Sequence, residues 1–173
     1  MKEYEIALNI ATKAHEGQTD KSGIDYIEHP LTVSSYCASE RAKIAALLHD
    51  VVEDSSVTLE DLLAAGIGAD VIEAVDCLTK REGETLDEYF RRVAASDIAV
   101  EVKFADMRHN SDTSRWKEKT GVAAITNYKK YAQRIEKLHN MTGDGRLWEI
   151  LSGEFMEWLR EFMLGYALGR QHE

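Results

Sequence analysis

Apolar residues along this chain recur at three- and four-residue intervals, the spacing of one helical face. Ile6, Ala7, Ile10, Ala11 and Ala14 set a first helix over 3–15, which Gly17 can end. A polar loop follows from Gln18 to Glu28, and Pro30 suits the first position of a helix running to about residue 38. The pattern then predicts one continuous helix over 40–54. Thr58, with Asp61 three residues on, caps a short helix. Val71, Ile72, Val75 and Leu78 mark a helix over 69–79, and 85–95 is another. Asp97 is the expected cap of a helix from Ile98 to about Asn110, with a polar loop from there to Thr120. Residues 122–141 form a long charged amphipathic helix, and Gly143-Asp144-Gly145 a turn. Over 147–168, Phe155, Leu159, Phe162 and Tyr166 make an aromatic-rich stripe, with Gly153 a candidate break. No alternating segment, repeat or low-complexity stretch competes. The expected fold is all-α: one domain over 1–173, a helical bundle with its core at about 1–120 and a C-terminal helical extension at about 121–170.

Composition narrows the class. At 173 residues and 44% hydrophobic, the chain can bury a sizeable core. No apolar run reaches the roughly 18 residues a membrane span needs, and the N-terminus lacks a basic-then-apolar signal. Cys37 and Cys77 sit apart in apolar segments, without metal spacing, and read as reduced thiols of a cytoplasmic protein. The net charge of -10 argues against nonspecific nucleic-acid binding. A small anionic substrate stays open, given local cations or a metal.

The chemistry concentrates in Ala45–Asp54. On a helical wheel His49, Asp50, Glu53 and Asp54 fall within an arc of about 140°, opposite Ile44, Ala45, Leu48, Val51 and Val52. Acids three and four residues apart repel by a few tenths of a kcal/mol per pair. The face is therefore either a solvated acidic patch or a surface that wants a cation. A second carboxylate points the same way. Apolar residues spread over about 260° around Asp106, with Glu101 and Arg108 marking the solvent side. Asp106 thus points inward, with Lys103 and Asn110 beside it. A buried lone charge is costly, so Asp106 needs either the Lys103 pair or a metal. His29, at the mouth of a helix, reads as a cap, a core residue or a ligand. Together with His49, Asp50 and Asp106 it would make a mixed nitrogen–oxygen set suited to a borderline divalent ion.

These residues carry a resemblance. Ala14-His15-Glu16-Gly17-Gln18, Tyr26-Ile27-Glu28-His29-Pro30, the stretch Ala46 to Asp54, Val75 to Lys80 and Lys103 to Asn110 occur in the order found in HD-domain metal-dependent phosphohydrolases. More narrowly, roughly the first 115 residues resemble the hydrolase domain of the RelA/SpoT group and its short relatives, which remove the 3′-pyrophosphate from (p)ppGpp. The resemblance implies an all-helical bundle. It implies one divalent ion, Mn²⁺ before Fe²⁺, Zn²⁺ or Mg²⁺, on His29, His49, Asp50 and Asp106. It gives Glu53 and Asp54 water activation or leaving-group protonation, and puts Asn110 in the site. Lys21, Lys80, Arg81, Lys103 and Arg108 are candidate phosphate contacts, Lys103 first. Two positions depart from the family: Asp20 stands where an Arg usually holds the purine, and Met107 where another Arg follows the metal Asp. The expected activity is hydrolysis of a phosphorylated nucleotide, (p)ppGpp or another. The competing readings are a metal- and nucleotide-binding regulatory module and a structural helical domain. The aromatic stripe serves either core packing or a homodimer contact.

Overall fold

The computed structural model describes residues 2–20, 22–112 and 122–170. Lys21, most of the expected 110–120 loop and His172 lie outside them. The described chain is helical: α1 Glu3–Ala14, α2 Glu28–Tyr36, α3 Glu40–Leu48, α4 Val51–Asp54, α5 Leu59–Ala64, α6 Ala69–Leu78, α7 Leu86–Ala94, α8 Asp97–Ser111, α9 Val122–Thr142, α10 Asp144–Ile150 and α11 Gly153–Arg170. Among the described residues there is no strand, only an isolated antiparallel bridge between Thr19 and Asp25.

Local chemistry explains most of the boundaries. Thr58 and Thr85 accept from the N–H three residues on, while Asp61 and Glu88 reach back, so both helix starts carry capping boxes. Gly17 takes φ 77° after α1, a conformation that costs glycine nothing. Several expected boundaries move. Pro30 is the third residue of α2, still in the first turn, where a missing N–H is harmless. Ser96 caps α8 through Oγ, at 3.3 Å from the Ala99 nitrogen, and Asp97 is already helical. The turn before α10 shrinks to Gly143, at φ 81°. Gly153 does mark a break, since α11 begins there after the extended Leu151.

The largest correction is at the centre. The expected helix over 40–54 is two helices, α3 and α4, interrupted at His49 and Asp50. The His49 ring Nδ1 lies 2.6 Å from the Ala46 carbonyl, one turn back. Asp50 sits at φ −104°, ψ −8°, at the edge of the helical region. The chain resumes when the Asp54 N–H donates to the Asp50 carbonyl at 2.9 Å.

α8 is the hub, packed against α2, α3, α6, α7, α9 and α10. Val100, Val102, Phe104 and Met107 are fully buried. Glu101 and Arg108 do not face solvent as expected. Glu101 is buried, and its carboxylate accepts from the Ala38 and Ser39 N–H groups and the Ser39 hydroxyl, closing the start of α3. The Arg108 guanidinium lies 4.5 Å from the Tyr36 ring centre, 5.1 Å from Phe155 and 5.0 Å from Trp158. Such cation–π contacts hold it against α2 and α11. Phe155 and Leu159 share the main core with Leu47, Leu48 and Phe104, so much of the aromatic stripe is spent inside the chain.

α7 clamps the end of α6. Arg92 Nη1 donates to the Asp76 carbonyl at 2.7 Å and Nη2 to the Thr79 carbonyl at 2.8 Å, satisfying acceptors that the helix end leaves open. Its other face grips Glu84 with two bonds of 2.7 Å. The Arg92 hydrogen bonds hold the Glu84 carboxyl at about 2, against an ordinary 4.5. A carboxyl held down in the folded state stabilises above its unfolded value and loses that contribution as pH falls to the folded one. Glu84→Gln should therefore lower the melting temperature at pH 7, and the gap to the parent protein should close between pH 4.5 and about 2. A gap that does not change with pH, measured by thermal denaturation, would contradict this.

Candidate metal centre

Four side chains from three parts of the fold meet at one point. His29 comes from the first turn of α2, His49 and Asp50 from the break between α3 and α4, and Asp106 from buried α8. His29 Nε2 is 3.3 Å from Asp106 Oδ1 and 3.6 Å from Asp50 Oδ2. His49 Nε2 is 3.2 Å from Asp50 Oδ2 and 4.0 Å from Asp106 Oδ1. Donor atoms of His29, His49 and Asp50 all lie within 4.8 Å of one another. His29, His49 and Asp106 are buried, while the Asp50 side chain keeps 22% of its exposure.

The donors fit a cation. A carbonyl only accepts, so the 2.6 Å contact to Ala46 makes His49 Nδ1 the donor. In the neutral ring His49 Nε2 then presents a lone pair, and it is buried with no hydrogen-bond partner. It faces the carboxylate oxygen of Asp50, and two lone pairs at that distance repel unless a positive charge lies between them. Ligation by His29 Nε2 requires the proton on Nδ1, and His109 Nδ1 stands 2.7 Å away to accept it. Two imidazole nitrogens and two carboxylate oxygens suit a divalent ion of borderline softness.

The surroundings set the charges. Asp106 Oδ2 accepts from Lys103 Nζ at 2.7 Å and Oδ1 from Asn110 Nδ2 at 2.5 Å. Burial alone would raise the Asp106 carboxyl, but Lys103, then His29 and His49, outweigh it and hold it well below the usual range. Asp50 is likewise held down, its burial offset by His49, His29 and the Tyr26 hydroxyl. Lys103, over the Tyr89 ring at 5.3 Å, is pushed up by Asp106 against its own burial.

The remaining expected residues fall at graded distances. Glu53 and Asp54 form the exposed end of α4, just past the break. Glu53 Oε2 accepts from the Lys80 N–H at 3.1 Å. Burial raises the Asp54 carboxyl, and the charges of Asp50 and Glu53 raise it further. The Lys80 side chain is exposed, and Lys103 and Asn110 touch Asp106 directly. Arg81 pairs with Asp76 at 3.0 Å. A pocket of about 600 Å³ between Ile24, Glu28, Tyr36 and Asp112 borders the centre through His109, and no metal-ligand candidate lines it. Sequence reasoning passed over Tyr26, whose hydroxyl donates to Asp50 Oδ2 at 2.7 Å, and Gln18, whose amide donates to the Asp54 carbonyl at 3.2 Å. Both lie in quoted motifs, but only the fold brings them to their partners.

Lys103→Met would leave Asp106 charged and buried. Breaking such a pair costs about 3–5 kcal/mol, and the partial exposure of Lys103 favours the low end. Because the variant lacks one of the centre's positive charges, Mn²⁺ should raise its melting temperature more than that of the parent protein. Equal Mn²⁺-induced shifts in differential scanning fluorimetry would argue against a cation at this point.

Comparison with known proteins bears on the same residues. Residues 7–87 match the family described as HD domain, a span that holds His29, His49 and Asp50 and stops short of Asp106. A guanosine-3′,5′-bis(diphosphate) 3′-pyrophosphohydrolase of Haemophilus influenzae is 41% identical over 119 residues, 60% of this chain and 17% of the relative. The bifunctional (p)ppGpp synthase/hydrolase SpoT of Escherichia coli is 35% identical over 127 residues, 65% of this chain and 18% of the relative. A protein named GTP pyrophosphokinase, from Streptomyces coelicolor, is 34% identical over 67% of this chain and 15% of its own length. The chain thus spans under a fifth of the curated relatives it matches. Among solved structures, a metazoan ortholog of SpoT, described as hydrolysing ppGpp, shares the fold with a TM-score of 0.65 at 24% identity, over 85% of this chain and 91% of that one. Residues 7–87 thus match the HD-domain family, the chain is similar in sequence to proteins named (p)ppGpp hydrolases, and it shares a helical fold with the SpoT-like structure.

Proposed function

We propose that this protein is a divalent-metal-dependent phosphohydrolase of phosphorylated nucleotides, with guanosine 3′,5′-bis(diphosphate) the leading substrate and removal of its 3′-pyrophosphate the reaction. The observation that carries this reading is the convergence of His29, His49, Asp50 and Asp106, with a lone pair of His49 aimed at a carboxylate. The names of the relatives support it. Mn²⁺ is the ion we expect. Two free thiols, Cys37 and Cys77, suit a reducing cytoplasm.

When bound, a divalent ion supplies a Lewis acid for a phosphoryl oxygen and eases deprotonation of water near neutral pH. The protein's own groups do the rest. Asp54, with its carboxyl raised, can hold a proton closer to neutral pH than an ordinary aspartate, and Glu53 stands beside it. The pair takes the proton from the attacking water and returns one to the leaving group. Lys103 uses one N–H on Asp106 and another on Tyr89, and its third can reach a phosphoryl oxygen. Asn110, Lys80 and Lys21 are the other substrate contacts we assign.

A related reading, a different nucleotide substrate, has one observation in its favour. Asp20 Oδ1 accepts from the Ser22 N–H at 2.8 Å and the Ile24 N–H at 3.0 Å. The residue at the position of the family's purine-holding Arg braces its own loop.

Phosphate and pyrophosphate release should be followed with Mn²⁺ across guanosine 3′,5′-bis(diphosphate), nucleoside 3′,5′-bisphosphates and ordinary nucleotides. We expect His49→Ala and Asp106→Ala to lose both metal binding and turnover while helical circular dichroism survives; normal turnover in either would sink the metal assignment. Glu53→Gln keeps an acceptor for the Lys80 N–H, so it should bind metal normally yet lose most of the turnover, roughly 10²-fold or more for a proton-transfer group. A parent protein inactive on every nucleotide, with metal bound, would instead favour a binding module.

A further inference from the structure

Asp50 and Asp106 are held in different ways. Asp106 stands on a regular buried helix, with Lys103 on one oxygen and Asn110 on the other. Asp50 stands at the break as the first capping residue of the short helix α4, and it is the most exposed of the four ligand candidates. Its side chain can swing about χ1 and χ2 unless something outside the break stops it.

Tyr26 is placed to do so. Its hydroxyl donates to Asp50 Oδ2 at 2.7 Å, and this is the same oxygen that faces His29 Nε2 and His49 Nε2. A donor on one lone pair fixes the rotation of the carboxylate and leaves the other lone pair directed at the imidazoles. The donor is itself well anchored. The Tyr26 ring lies 4.8 Å from the His15 ring and 5.6 Å from the His29 ring. His15 is buried and joined through Nδ1 to Gln18 Oε1 at 2.9 Å. The Tyr26 N–H donates to the Gln18 carbonyl at 2.9 Å, pinning the loop across its base.

We propose that Tyr26 is a positioning residue for Asp50, holding Oδ2 in the orientation that binds the divalent ion. It rests on the metal-centre reading above. The role belongs to one oxygen atom: the ring packs and the hydroxyl orients. Removing an outer partner of this kind weakens metal affinity by about 10–100-fold in known sites.

The test is Tyr26→Phe in the full chain, which keeps the ring against His15 and His29. Mn²⁺ binding is followed by the electron paramagnetic resonance signal of the free ion, and the metal-free protein is melted in parallel. The expected result is an Mn²⁺ dissociation constant raised about 10–100-fold with the metal-free melting temperature little changed. An unchanged dissociation constant overturns the proposal, and so does a lowered melting temperature with unchanged affinity, which is the signature of a packing role. A parent protein that binds no Mn²⁺ sinks the metal reading and this inference together. A parent protein that binds Mn²⁺ but turns over no nucleotide leaves the affinity comparison decisive for Tyr26 while removing the hydrolase assignment.

Discussion

Two carboxylates and two imidazoles converge on one largely buried point, and among the described residues Lys103 is the permanent cation bonded to them. Burial by itself would drive both Asp50 and Asp106 toward the neutral acid. Lys103 and Asn110 on Asp106, and the Tyr26 hydroxyl on Asp50, oppose that, and the histidines add to them only when protonated. The metal-free arrangement is therefore held by charges that compete for one another, with a His49 lone pair left over. Moving an uncompensated ion out of water costs several kcal/mol, so the surrounding helices have to enforce this geometry.

That requirement explains the character of α8. It is buried nearly all round, yet it carries Glu101, Lys103, Asp106, Arg108, His109 and Asn110. Each of these is matched to a particular partner. Glu101 closes the α2–α3 turn, Lys103 and Asn110 hold Asp106, His109 meets His29, and Arg108 is sandwiched by rings from α2 and α11. The C-terminal helices thus belong to the support of the site: through Phe155 and Trp158 they reach the residue two places after Asp106.

The same matching decides what the sequence could reveal. Helical periodicity was enough for the all-α fold, because each helix needs an apolar face whatever its partner. The inward aim of Asp106 was legible because apolar residues flank it on both sides. Glu101 and Arg108 were misread because a wheel assigns charge to solvent, and their partners, Ser39 and the aromatic rings, come from other helices. The break at His49-Asp50 left no trace, since no glycine or proline marks it; it accompanies a side-chain bond from His49 to its own preceding turn. The single acidic arc drawn on a continuous helix therefore becomes two layers, with His49 at the buried centre and Glu53 and Asp54 on the exposed turn beyond. Tyr26 was invisible for a similar reason, because its partner is 24 residues away.

On the hydrolase reading, the distribution of cations gives a bound ion a second task beyond chemistry. The chain carries a net charge of -10, and a phosphorylated nucleotide adds more negative charge to that field. Of the basic residues that the sequence offered as phosphate contacts, Arg81 is paired with Asp76, Arg108 is enclosed by rings, and Lys103 is on Asp106. Asp20 adds a carboxylate where the family has a cation. An acidic centre and an anionic nucleotide, if that is the substrate, are thus compatible only when positive charge sits between them. On the hydrolase reading, the divalent ion is the largest such charge available, and substrate affinity and metal occupancy are coupled by electrostatics before any bond is broken.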